Sequence, residues 1–203
     1  MLFAFFGVYA QQDAHFTQYM NNKIFVNPAF AGDKGAICLS GIYRHQWTGF
    51  DGNPKTQNFN VDMPVDFLRG GIGLSITNDQ LGFEKNLGIN LLYAYKTDLG
   101  AGNFSLGLSL GMLDKGLVNT DWIYPDGASG ANDPSIPNDE QKIVPDFGFG
   151  LLYSTDAFFV SLSSSHLVPF EVELTSSSSI KLKNHIYLLG GYNIELSPEL
   201  QLQ

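Results

Sequence analysis

The chain has 203 residues, 44% hydrophobic and only 15% charged, with 22 glycines and 13% aromatics. So few charges beside so many glycines and aromatic rings fit neither an ordinary soluble domain nor a disordered chain. The formal net charge of −9 argues against nucleic-acid binding, which needs a basic surface. The single Cys38 excludes an internal disulfide and a cysteine metal cluster.

In chain order, Leu2 to Ala10 is apolar and stops at Gln11-Gln12-Asp13. That run is too short for a membrane-spanning helix, which needs about 20 residues. Residues 1–10 therefore read as the remnant of a signal peptide, with Ala10 as the cleavage position, although a basic n-region is missing; a short buried strand is the alternative. No later stretch is apolar for long enough to make a helical membrane protein. Residues 11–35 form a polar lead segment. Its Asn21-Asn22, Asn27-Pro28 and Gly32 favour fixed turns over continued strand, so it is expected to dock, either inside a barrel or on a periplasmic partner.

From residue 36 onward a period of two dominates. Phe104, Leu106, Leu108, Leu110 and Met112 alternate with Ser105, Gly107, Ser109 and Gly111, which gives a strand one apolar face and one small or polar face. The same alternation predicts strands over 56–63, 70–78, 84–96, 102–113, 146–154 and 157–165, with weaker patterns over 36–47 and 184–196. Phe159 breaks the alternation of its strand. The non-apolar faces are rich in Gly, Ser and Asn and poor in Lys and Glu. That suits the lumen of a barrel better than a bulk-water surface, and several strands reach the length of a tilted membrane-spanning strand. Alternate connections sort into a short set and a set containing both long loops, 114–145 and 166–183. Short periplasmic turns and long outer loops are the barrel pattern. In that topology Tyr93, Tyr95, Phe104, Tyr153 and Phe158 gather at the periplasmic end of the apolar face, as an interfacial girdle would. Leu200-Gln201-Leu202-Gln203 reads as the start of another strand. The expected fold is thus all-β, an antiparallel transmembrane β-barrel of outer-membrane type over 36–203, as a C-terminally truncated fragment of a larger barrel.

Chemistry-bearing residues are sparse. His15, His45, His166 and His185 lie far apart in sequence and form no metal or catalytic motif. Ser163, His166 and Asp146 supply the residue types of a hydrolase triad, but nothing in their spacing demands one. The chain is expected not to be an enzyme and to need no cofactor or metal. Asp126 to Pro134 is rich in oxygen ligands but lacks EF-hand spacing, so it reads as a solvated outer loop. Ser176 to Ser179 reads as a flexible low-complexity loop. In Tyr43-Arg44-His45-Gln46-Trp47, alternation places Arg44 and Gln46 on the lumen face and Tyr43 and Trp47 on the other. A lumen arginine needs an acidic or carbonyl partner, for which Asp62 is a candidate.

Gln11 to Met20, followed by Asn27-Pro28-Ala29-Phe30-Ala31-Gly32, resembles the mature start of PorP/SprF proteins. Tyr43-Arg44-His45-Gln46-Trp47 is similar to their first-strand motif, and Gly70 to Leu74, Asn78-Asp79, Leu81-Gly82 and Tyr93-Ala94-Tyr95 follow in family order. The resemblance implies an outer-membrane barrel of the type IX secretion and gliding machinery of Bacteroidetes-type bacteria. It implies association with periplasmic parts of that machinery and a part in export or surface attachment of adhesin-like cargo. The family carries no assigned catalytic residues, and none are expected here. Partner contacts are expected in the lead segment, and Asn27, Pro28, Gly32, Tyr43, Arg44, Gln46 and Trp47 are the candidate motif or contact positions. A passive porin-like solute channel is the alternative.

Overall fold

A computed structural model describes residues 16–117, 140–175, 178–197 and 200–202. The apolar residues 1–10, His15 and the Asp126–Pro134 loop lie outside the described residues. Eight strands form one antiparallel sheet: β1 (Cys38–His45), β2 (Lys55–Val65), β3 (Gly70–Leu81), β4 (Glu84–Leu99), β5 (Gly102–Leu117), β6 (Glu140–Ser154), β7 (Phe158–Ser165) and β10 (His185–Tyr192). Between β7 and β10 a hairpin pairs β8 (Glu171–Thr175) with β9 (Ser178–Lys181). After β10, β11 (Ile194–Ser197) pairs with β12 (Leu200–Leu202). No described helix is long and apolar enough to cross a membrane.

From β1 to β7 each strand pairs with the next in sequence, and β10 pairs with β7 across the β8–β9 hairpin. The two-residue turns Gly82-Phe83 and Gly100-Ala101 use a glycine at positive φ, which spares the bend a Cβ clash. Two prolines lie inside strands without breaking the ladder. Pro64 follows the last β1 partner of β2, and Pro145 precedes the first β7 partner of β6, so each missing N–H faces a side with no strand bond to donate.

The sheet curls, and the lead segment measures how much. That segment runs as a 3-10 turn (Tyr19–Asn21), a single helical turn α1 (Lys23–Val26) and a second 3-10 turn (Pro28–Phe30). Asn22 bonds to Ser40 of β1, while Asn27 donates to the carbonyl of Leu162 in β7. In a flat sheet those strands would lie about 29 Å apart, at about 4.8 Å per strand. One helical turn covers only about 8 Å between Asn22 and Asn27, and the side chains with their hydrogen bonds add about 10 Å. The sheet therefore wraps around the lead segment as a half-barrel.

The two faces differ as the alternation predicts. The outward face carries exposed Leu39, Phe59, Ile89, Leu91, Leu108, Leu110, Met112, Val160, Leu162, Ile186 and Leu188. Across β5 the apolar stretch from Phe104 to Met112 is about 26 Å along the strand, or about 20 Å high at a 40° tilt, close to the apolar band of outer-membrane barrels. The inward face carries Asn58, Asn60, Ser75, Ser105, Lys115, Asp146, Ser161 and Ser163, all buried. On β10 the inward residues are His185, Tyr187, Leu189 and Gly191.

Four expectations need revision. Asp62 is not the partner of Arg44: Arg44 stands opposite Thr56, whereas Asp62 stands opposite Cys38 at the far end of the β1–β2 pair. The serine run is not wholly a loop, since Ser178 and Ser179 belong to β9 and pair with β8; low complexity does not prevent strand pairing when a partner segment lies two residues away. Several strands extend beyond the alternating stretch, β5 to Leu117 and β6 back to Glu140, because ladder hydrogen bonds do not require an apolar face. Finally, the weak strand 184–196 ends at Tyr192, and Ile194 begins a separate hairpin.

Candidate functional site: the seat of the lead segment

The concave side of the half-barrel holds a docked segment. Asn27, Ala29 and Ala31 are completely buried, and Asn22, Ile24, Pro28, Phe30 and Gly32 nearly so. Asn27 acts at both ends of its amide. Its Oδ1 accepts from the Ala29 N–H at 2.8 Å, capping the second 3-10 turn. Its Nδ2 donates to the carbonyls of Leu151 at 3.0 Å and Leu162 at 3.4 Å. Ser163 Oγ donates to the Val26 carbonyl at 2.8 Å. On the other flank, Asn22 Nδ2 donates to Asn58 Oδ1 at 2.7 Å and Asn60 Nδ2 donates to Asn22 Oδ1 at 2.6 Å. Asp62 Oδ2 accepts from the Gly32 N–H at 2.8 Å.

Glycines on the inward face make room for this segment. A Cβ on Gly107 of β5 would overlap the backbone of Pro28 and Ala29. One on Gly150 of β6 would overlap the Asn27 amide, and one on Gly71 of β3 the Ala31 carbonyl. Gly32 is constrained twice, by φ +65° and by a Cβ position 2.8 Å from the Cα of Gly71. The alternation of apolar residues with Gly thus has a second cause besides a polar lumen: the floor must be bare where the segment lies.

Apolar contacts complete the seat. Ile24 and Ala31 pack with Leu92 and Ala94, and Phe30 packs with Leu152. Phe159, the residue that broke the alternation of β7, turns inward. Its ring meets Phe30 edge-on at 5.7 Å and lies under the Lys23 ammonium at 4.2 Å. Burial pushes the Lys23 pKa below its ordinary value, with the charge of Asp33 opposing. Gly191 on β10 leaves the space that Phe159 fills.

A family model described as type IX secretion system membrane protein PorP/SprF matches residues 8–203. The chain belongs to the PorP/SprF family. No curated protein and no solved structure matches it. The Asn27–Gly32 and Tyr43–Trp47 motifs that carry the resemblance prove to have different places in the PorP/SprF fold. Asn27, Pro28 and Gly32 lie inside the half-barrel, in the seat just described. Arg44 and Gln46 point inward at the opposite rim, while Tyr43 and Trp47 are exposed. The structure does not bring these two groups together.

Tyr43 and Trp47 join Phe50 and Phe83 as exposed rings at the β1–β2 and β3–β4 connections, whose backbones meet through the Gly82 N–H and the Gly52 carbonyl. At the other end of the sheet, Tyr93 Oη donates to the Leu68 carbonyl at 2.9 Å and Tyr153 Oη to the Leu99 carbonyl at 3.4 Å. The rings of Tyr153 and Phe158 meet at a tilt, 6.2 Å apart, and Tyr192 stands opposite Phe158 in register. Rings therefore border the apolar face at both ends, with tyrosine hydroxyls turned to the turns, as an interfacial position favours. Tyr192, Phe50 and Phe83 were not singled out from sequence, and Tyr43 and Trp47 were singled out only as motif positions. The aromatic content signalled them, but their common height depends on register.

Further toward the β1–β2 end, the inward face forms a cavity of about 110 Å³ in which Asp79, Asn86, Asn90, Lys115, Asp146 and His166 stand beside apolar Phe25, Leu113 and Leu182. Lys115 pairs with Glu84 at 3.0 Å, and His166 Nδ1 lies 2.8 Å from Asp146 Oδ1. His166 adopts φ +52° and its ring lies 5.7 Å from that of His185, so two histidines distant in sequence meet. The Ser163 hydroxyl is bonded to Val26, away from this pair. Among the described residues no group of His, Cys, Asp and Glu is placed to hold a metal ion.

Proposed function

We propose that this PorP/SprF protein is a non-enzymatic outer-membrane component of the type IX secretion and gliding machinery of a Bacteroidetes-type bacterium, helping export or surface attachment of secreted adhesin-like proteins. Family membership makes it a type IX secretion system membrane component. The observation that carries the rest is the pairing of an apolar, ring-bordered outer face with an inner face built around a family-specific segment. The outer face favours a lipid bilayer crossed by tilted strands, and the short turns at one end favour a periplasmic side from which machinery proteins are reached. The filled seat weighs against a passive porin, whose lumen is an aqueous channel.

Deletion of the gene tests this reading. Type IX cargo should accumulate inside the mutant and return to the surface on complementation, and the tagged protein should fractionate with the outer membrane. Normal cargo export from the deletion strain, or fractionation with the inner membrane, would overturn the proposal.

A further inference from the structure

The lead segment has the properties of a removable part. No residue from 16 to 32 joins a strand, so withdrawing the segment breaks no ladder hydrogen bond. It is held instead by hydrogen bonds to opposite walls, from Asn22 and Gly32 to β1 and β2 and from Asn27 and Val26 to β6 and β7, and by the apolar packing of Ile24, Phe30 and Ala31. The cavity beyond it sets polar side chains among apolar Phe25, Leu113, Leu182 and Tyr187. Thr77, Asp79, Asn86, Asn90 and Asp146 line the cavity at the β1–β2 end, and the buried side-chain oxygens of Asn86 and Asn90 have no protein partner. Such groups are tolerated in a lumen because water can satisfy them, and not in an apolar core. A lumen carrying such polar groups, interrupted by a segment that is buried from Asn27 to Gly32 and stands outside the strand ladder, is the arrangement of a plug.

We propose that residues 16–32 are an intrinsic plug: seated, they close the lumen; unseated, they leave a polar passage for small hydrophilic solutes and ions. The inference rests on the lumen and is independent of the secretion reading. Two substitutions address the seat from opposite sides. Asn27→Ala removes the amide that joins the segment to Leu151 and Leu162 and caps its own turn, leaving the floor bare. Gly107→Leu leaves the segment unchanged and fills the floor beneath Ala29.

The full-length protein, purified from outer membranes, is inserted into planar phosphatidylcholine bilayers, and current is recorded at fixed voltage. Folding of each variant is checked first by its heat-modifiable migration on electrophoresis. Wild type should be silent, and a folded variant should show stepwise currents that a synthetic peptide of residues 16–32 suppresses. Should Gly107→Leu fail to fold, Asn27→Ala still decides the matter, because it adds no atoms. Steady stepwise current through the wild type, or folded variants as silent as the wild type, would overturn the plug.

Discussion

Replacing Gly107 by alanine adds one methyl group at the centre of the seat. The new Cβ would lie 2.5 Å from the Pro28 carbonyl carbon and 2.6 Å from the Ala29 Cα. Carbon atoms pack best at about 3.5–4.0 Å, so the segment or β5 must retreat by roughly 1 Å. Neither yields easily, since the obstructing atoms are main chain and Asn27 pins them to β6 and β7. Overpacking of this kind costs about 1–3 kcal/mol, and the upper half of that range is expected here. Gly41 on β1 is the control: nothing lies within 4 Å of its Cβ position and its φ is not positive, so alanine there should be neutral or stabilise by about 0.4–1 kcal/mol. Urea unfolding of both variants in lipid vesicles, followed by tryptophan fluorescence, gives the comparison. Limited proteolysis should cut Gly107→Ala near Lys23 faster than the wild type. If the Gly107 and Gly41 variants unfold at the same urea concentration, the seat does not constrain the floor and the role assigned to the inward glycines is wrong.

The remaining predictions concern the membrane. Leu108 is half-exposed on the outer face and Ser109 points inward, so Leu108→Arg should impair assembly by about 2–4 kcal/mol while Ser109→Arg is better tolerated; equal tolerance in an outer-membrane assembly assay would reverse the facing. With Cys38 replaced, a cysteine at Val168 in the β7–β8 connection should be labelled on intact cells by an impermeant reagent and one at Asp156 in the β6–β7 turn should not. The opposite result would invert the topology.

Most of the sheet was legible because a strand with one lipid-facing side must alternate, and alternation survives in sequence whatever the strand's partners are. Phe104 to Met112 shows this, since every residue faces as its parity predicts. What parity cannot give is contact across the barrel. Asp62 and Arg44 lie on neighbouring strands with the same facing, and only the register separates them. His166 and His185 meet because the β8–β9 excursion returns the chain to β7, a closure invisible to spacing rules. Phe159 was visible only as an error in the pattern. Its explanation lay more than a hundred residues earlier, in Lys23 and Phe30.

The lead segment shows the same limit from the other side. Asn27, Pro28 and Gly32 announced a fixed turn, and each has a local reason: Asn27 caps, Pro28 opens a 3-10 turn, and Gly32 takes a positive φ. Local reasons alone left open whether the turn docks inside the barrel or on a partner. The deciding signal lay on other strands, where Gly71, Gly107 and Gly150 fall on the inward parity of β3, β5 and β6. Read strand by strand, those glycines look like a featureless polar lumen. Taken together, they form the floor on which Asn27 to Ala31 rests. A bare floor implies an occupant, because a glycine in a strand weakens it unless something approaches its backbone closely. In this chain that occupant is the segment carrying the Asn27–Gly32 motif of the family. The motif and the glycine-patterned strands therefore form a single structural unit, and a substitution in either should disturb the other.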